Sequence, residues 1–81
     1  MGKKRRLIEK LRSNPNNVSY EELERLLLWC GFTCRKSGGS HRHFKRPGST
    51  TYTVPEHKPV RKCYVLDAIE FVERYGDLSD D

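Results

Sequence analysis

The first half of the chain places apolar residues at the spacing of an amphipathic helix. Between residues 20 and 30, apolar side chains recur at intervals of three and four positions, so they fall on one side of a helix. Ser19 and Glu22 form the pattern of a capping box, which begins many helices, and Gly31 is the residue type that commonly ends one. The pattern predicts a helix between Ser19 and Gly31, and its apolar stripe is Leu23, Leu26, Leu27 and Cys30.

Two further segments have helical periodicity. Residues 4–13 end before a stretch rich in turn residues, which predicts a short N-terminal helix. Residues 62–75 precede Gly76 and predict a final helix, with residues 77–81 as a frayed acidic tail. The apolar positions are Leu7, Ile8 and Leu11 in the N-terminal helix and Val65, Ala68, Ile69 and Val72 in the final helix.

The middle of the chain changes to the short apolar runs and turn residues of β-strands. The predicted strands are residues 32–36, 40–46 and 50–54; their turns lie at Gly38-Gly39 and Pro47-Gly48, and Pro55 and Pro59 stop the third strand. Strands joined in series by short turns make an antiparallel meander, and the helical stripes need a sheet to cover. The sequence therefore predicts an α+β fold in the order α-α-β-β-β-α, with a three-stranded antiparallel sheet, helices on one face and the other face open.

Length and hydropathy narrow the class of protein. The 81 residues suffice for a single domain, residues 1–81, with a modest core and no room for a second. No apolar run approaches the roughly 20 residues that cross a bilayer. The basic N-terminus is not followed by the apolar segment of a signal peptide. We expect a cytoplasmic protein with no membrane partner.

The cysteines and carboxylates argue against a metal site. Cys30, Cys34 and Cys63 form an odd set, which favours reduced core thiols over a disulfide framework. A zinc site built from Cys30, Cys34 and His41 would lack the second ligand pair of most zinc sites. Glu56 is the one carboxylate between residues 35 and 62, which disfavours two-metal catalysis. We expect no metal and no cofactor.

Charge is unevenly distributed along the chain. Residues 35–62 hold eight of the 16 Lys and Arg residues but one of the 11 acidic residues, whereas residues 63–81 hold six acidic residues and one basic residue. Cations concentrated in one stretch attract nucleic-acid phosphates by releasing counterions. Residues 35–62 are therefore the candidate surface for a polyanion.

The strongest candidate for chemistry lies inside this basic stretch. His41 follows a glycine turn, and an imidazole can accept or donate a proton near neutral pH. Alternation along the second strand places His41, His43 and Lys45 on one side, and Arg42, Phe44 and Arg46 on the other. If Phe44 packs under the helices, the histidines face water and Arg42 lies at the sheet margin.

The order of several short motifs resembles the HicA toxin family of HicA/HicB toxin–antitoxin pairs. The resemblance covers roughly residues 20–76, and its motifs are Cys30-Gly31-Phe32, Arg35 to His41, Phe44, the basic pair before Pro47, and Val54-Pro55-Glu56-His57. It implies a fold similar to a double-stranded-RNA-binding domain. It also implies a ribosome-independent and metal-independent mRNA endonuclease, with His41 as its catalytic residue, that a HicB-like antitoxin holds silent. The helix at residues 4–13 is extra to the family pattern.

From the residues and the resemblance together we predict specific roles. His41 acts as general acid or base, and Gly39 and Ser40 complete its motif. His43 is either a second proton carrier or a contact to RNA, and His57 is a loop or structural residue. Phosphates are bound by Lys36, Arg42, Lys45 and Arg46.

Two other functions fit the same residues. A non-catalytic module could use the exposed strands and cations to bind double-stranded RNA by shape. A protein-interaction adaptor could use the basic face to bind an acidic partner. Trp29 lies off the apolar stripe of its helix, which leaves contact with the N-terminal helix or with an antitoxin open.

Overall fold

The computed structural model describes residues 2–36, 39, 41–56 and 60–79. Its elements are the helices α1 (Lys3–Ser13), α2 (Tyr20–Trp29) and α3 (Lys62–Tyr75) and the strands β1 (Thr33–Lys36), β2 (His41–Lys45) and β3 (Tyr52–Pro55). The predicted α+β class and the order α-α-β-β-β-α are confirmed. Each predicted helix is present within one or two residues of its expected bounds.

The capping box at the start of α2 is present in both directions. The backbone N–H of Glu22 donates to Ser19 Oγ at 3.2 Å, and the backbone N–H of Ser19 donates to Glu22 Oε1 at 3.3 Å. At the other end, Gly31 has a φ of 93°, which other residue types rarely adopt. Local chemistry therefore sets both ends of α2, and its apolar stripe is fully buried.

The three strands form one antiparallel sheet in the order β1-β2-β3. Phe44 lies opposite Cys34 on one side and Tyr52 on the other. The prediction for the third strand was shifted, because β3 begins at Tyr52 and includes Pro55. Proline has no N–H to donate to a neighbouring strand, so within sheets it is found mainly in edge strands. Pro55 is tolerated because β3 is an edge strand.

The helices cover one face of the sheet, as predicted. Phe44 and Val54 are fully buried on this face, and α2 and α3 supply most of the side chains around them. α1 belongs to the same core, since Ile8 and Leu11 are at most 3% exposed. The N-terminal helix is therefore an integral part of the packed structure.

The cysteines differ in their surroundings. Cys30 is buried and Cys34 is half-buried beneath the helices, but Cys63 is exposed in the first turn of α3. The prediction of a core thiol is confirmed for Cys30 and wrong for Cys63, which lies off the apolar side of α3 formed by Val65 and Ala68.

The helices are short. α3 is the longest at 14 residues, and within the described ranges no helix has the length and apolar character needed to cross a membrane.

Candidate nucleic-acid interface

The sheet face away from the helices carries a row of polar and basic side chains, which we call the open face. Strand alternation and pairing define its members. Arg35 of β1 lies opposite His43 of β2, and His43 lies opposite Thr53 of β3. The open face consists of Thr33, Arg35, His41, His43, Lys45, Thr53 and Pro55, of which Pro55 is buried. It contains basic side chains and no carboxylate.

His41 is the first residue of β2 and is exposed. Across the sheet it pairs with Pro55 at the end of β3. Gly39, two residues earlier, has a φ of 112°, and apart from its chain neighbours no atom of the described residues lies within 4 Å of the position that a Cβ would take there. A large anion can therefore approach the backbone beside His41 closely. Ser40, Gly38 and His57, which also belong to the predicted motifs, lie outside the described residues.

His43 lies in the middle of the open face. Its Nδ1 is 2.8 Å from Thr53 Oγ1, a hydrogen bond that fixes the orientation of the imidazole ring. A shallow depression surrounds it on the side toward the β2–β3 turn, lined by Thr33, Arg35, His43, Lys45, Arg46, Pro47 and Thr51. The depression is lined by hydroxyl and basic side chains, which are the kinds of group that bind sugar and phosphate oxygens in nucleic-acid complexes.

Arg42 points to the opposite side, toward the helices. Its guanidinium donates to Glu56 Oε2 at 3.1 and 3.3 Å and lies 3.7 Å from Glu24. It also lies over the ring of Tyr20, 5.5 Å from the ring centroid. The side chain is 20% exposed at the sheet margin, as expected from the strand alternation. Arg42 thus joins α2 to the segment after β3, and its charge is balanced by two carboxylates.

Tyr20 completes this cluster beneath the sheet. Burial, followed by the nearby Glu24 carboxylate, raises the pKa of Tyr20. The phenol therefore stays protonated and donates to Glu24 Oε2 at 3.2 Å.

Arg46 also has structural contacts. Its Nη1 donates to the backbone oxygen of Cys30 at 2.8 Å, and its guanidinium lies 5.9 Å from the ring centroid of Phe32. It therefore satisfies a carbonyl at the C-terminal end of α2, where a positive charge is favourable. A side chain at Gly31 would contact Arg46 Nη1 at 3.0 Å.

The predicted phosphate-binding cations therefore do not share one surface. Lys45 lies on the open face with the two histidines, whereas Lys36 is exposed at the end of β1, in register with Arg42. Phosphate binding by Arg42 and Arg46 stays a prediction, and their contacts show an additional structural role. Arg35 was not among the predicted site residues. Strand alternation in β1 was a usable signal for it, but the pairing with His43 depends on the register.

The described residues contain no group of three or more His, Cys, Asp and Glu side chains close enough to hold a metal ion.

The chain matches a known protein family. The family model described as the HicA toxin of bacterial toxin–antitoxin matches residues 20–70, more than half of the 81-residue chain. The match begins at the first residue of α2 and includes all three strands. Searches of characterised proteins and of solved structures gave no significant match. The chain belongs to the HicA toxin family of bacterial toxin–antitoxin systems.

Proposed function

We propose that this toxin is a metal-independent endoribonuclease that cleaves mRNA in the cytoplasm and that a HicB-like antitoxin neutralises it. His41 transfers the proton. The main support is the position of His41, exposed at the start of β2 on the same sheet face as Arg35, His43 and Lys45. This arrangement combines a proton carrier with cations that attract a phosphate backbone.

RNA provides its own nucleophile, so the demands on the protein are small. The 2′-hydroxyl next to the scissile phosphate can attack the phosphorus atom once its proton is removed. The protein must then move protons and stabilise a phosphorane with more negative charge than the substrate. An imidazole can move a proton and nearby cations can stabilise the phosphorane, so these effects need no metal ion.

The remaining predicted residues take supporting roles in this proposal. Gly39 permits close approach of the backbone to the RNA, and the hydroxyl of Ser40 binds a phosphate oxygen. Lys45 and Lys36 bind phosphates along the strands, and His43 contacts the RNA beside His41. Arg42 and Arg46 add positive potential; direct binding by Arg42 would require a phosphate to replace Glu56 as its partner.

The test is cleavage of labelled RNA in EDTA by the purified protein and by His41→Ala. We expect the variant to lose about 10²- to 10⁴-fold in rate, the usual contribution of a proton-transfer group. Because His41 is exposed, the variant should unfold at the same temperature as the wild type and still bind RNA. Undiminished cleavage by His41→Ala would eliminate the assignment. A wild-type protein that binds RNA but leaves it intact would favour the non-catalytic RNA-binding module instead.

A further inference from the structure

His41 and His43 lie on the same face of one strand, two residues apart. A strand rises about 3.3 Å per residue, so their Cα atoms are about 6.6 Å apart. Each imidazole reaches an oxygen over a hydrogen bond of about 2.6–3.2 Å. Both rings can therefore reach oxygens of one phosphate group bound over this face.

Cleavage of RNA by its 2′-hydroxyl needs two proton transfers. A base removes the proton from the 2′-hydroxyl as O2′ forms its bond to phosphorus. The bond between phosphorus and O5′ then breaks, and its electron pair stays on O5′, which needs a proton to leave as a hydroxyl. The products are a 2′,3′-cyclic phosphate and a 5′-hydroxyl, with no oxidant, metal or further reactant. The attacking and leaving oxygens lie on opposite sides of phosphorus, so one side chain is poorly placed to serve both.

We propose that His43 is the second catalytic residue, the general acid that protonates O5′, while His41 removes the proton from the 2′-hydroxyl. This inference rests on the proposed function. Two imidazoles on one face of a strand can reach oxygens on either side of a phosphate bound over that face. Arg35 lies directly across from His43, and Lys45 follows on the same face, where both stabilise the negative non-bridging oxygens.

The hydrogen bond to Thr53 suits His43 to the role of the acid. An imidazolium carries a proton on each nitrogen, and the hydroxyl oxygen of Thr53 can accept the one on Nδ1. Once Nε2 has given its proton to O5′, Nδ1 keeps its own and the bond to Thr53 persists. Thr53 is thus a positioning residue, because it fixes the ring and makes Nε2 the atom that transfers the proton.

A substrate with sulfur in place of O5′ separates the two roles. A thiolate is a far better leaving group than an alkoxide because a thiol is much the stronger acid. The pKa of a thiol is about 8.5, whereas an alcohol is about as weak an acid as water, whose pKa is 15.7. Cleavage at such a linkage still needs a base but no longer needs an acid. The experiment measures single-turnover cleavage of an ordinary RNA and of its sulfur-linked equivalent by the wild type, His41→Gln and His43→Gln.

We expect His43→Gln to lose about 10²- to 10⁴-fold on ordinary RNA and to cleave the sulfur-linked RNA within about tenfold of the wild type. His41→Gln should lose activity on both substrates. Equal losses by His43→Gln on the two substrates, or wild-type cleavage of ordinary RNA by this variant, would overturn the inference. A wild type that cleaves neither substrate would instead refute the proposed function. Unfolding temperature and RNA affinity, measured for each variant, separate a folding defect from lost chemistry.

Thr53 provides a second, independent readout. Thr53→Val removes the hydroxyl but preserves the shape, and it should slow cleavage of ordinary RNA more than cleavage of sulfur-linked RNA. Thr53→Ser retains the hydroxyl and should recover most of that difference. Equal behaviour of the Val and Ser variants on both substrates would contradict the positioning role.

Discussion

Neighbouring residues of β2 have different surroundings because a strand turns successive side chains to opposite faces. His41 is exposed on the open face, whereas the guanidinium of Arg42 is held between Glu56 and Glu24 under the helices. The basic run from His41 to Arg46 is therefore not one patch. Strand alternation separates Lys45 from Arg42 in the sequence, but the carboxylate partners of Arg42 could not be read from it, because Glu24 and Glu56 are distant along the chain.

Glu22 gives a prediction about acid stability. The hydrogen bond from Lys10 is the main cause that lowers the pKa of Glu22; burial opposes it and the hydrogen bond from Ser19 reinforces it. A carboxylate with a lowered pKa in the folded state stabilises the protein above its unfolded pKa, about 4.3 for Glu. That contribution is lost as the pH falls below this value through the folded pKa.

Glu22→Gln should therefore make stability less sensitive to acid. Gln can also complete a capping box, so the helix start is preserved while the ion pair with Lys10, at 3.0 Å, is lost. The measurement is the free energy of unfolding in urea at pH 6 and pH 3. The matched control is Glu9→Gln, which removes an exposed carboxylate of α1. The difference between the two pH values should shrink for Glu22→Gln. An unchanged difference would contradict the role of the Lys10–Glu22 pair.

At the scale of the elements, the helices were predictable and the strand register was not. The capping box at Ser19 and the glycine at Gly31 determine α2 through local contacts. The register of β1 against β2 depends on the connection between Lys36 and His41 and on which side of each strand meets the core. In β2, the large apolar side chain of Phe44 identified the side that meets the core. β1 has no such marker, because it contains the half-buried Cys34 and no fully buried residue. Arg35 was missed for this reason.

The register of β1 against β2, which places Arg35 opposite His43, leads to a prediction about RNA binding. Each phosphate contact contributes about 0.7–0.9 to the slope of log K against log salt concentration. Arg35→Ala removes a cation from the open face and should lower that slope by about this amount. Arg25→Ala removes the same charge from an exposed position on α2 and should leave the slope unchanged. Binding is measured in a His41→Gln background so that the RNA stays intact, and equal effects of the two substitutions would place RNA outside the open face.

At the scale of the whole molecule, the sheet differs in charge from α2 and α3, whereas α1 is basic, with six Lys and Arg residues and one acidic residue. The three strands carry four Lys and Arg residues, two histidines and no acidic residue. α2 and α3 together carry six acidic residues and three basic ones. An RNA backbone is therefore attracted to the sheet and repelled by α2 and α3. The exposed apolar residues Leu28 and Trp29 lie in the helix layer, away from the open face.

This division predicts where a HicB-like antitoxin binds. A partner that silences the toxin most directly would present acidic groups to the open face and exclude RNA from His41. The alternative contact, the apolar pair at Leu28 and Trp29, would leave His41 accessible. Hydroxyl-radical footprinting of the toxin, free and in complex, reports on both sites, because His41 and Trp29 are both exposed and oxidisable. We expect protection of His41 with Trp29 still oxidised, and complex formation that weakens with added salt. Inhibition of cleavage with Trp29 protected and His41 still oxidised would show that the antitoxin acts from the helix layer.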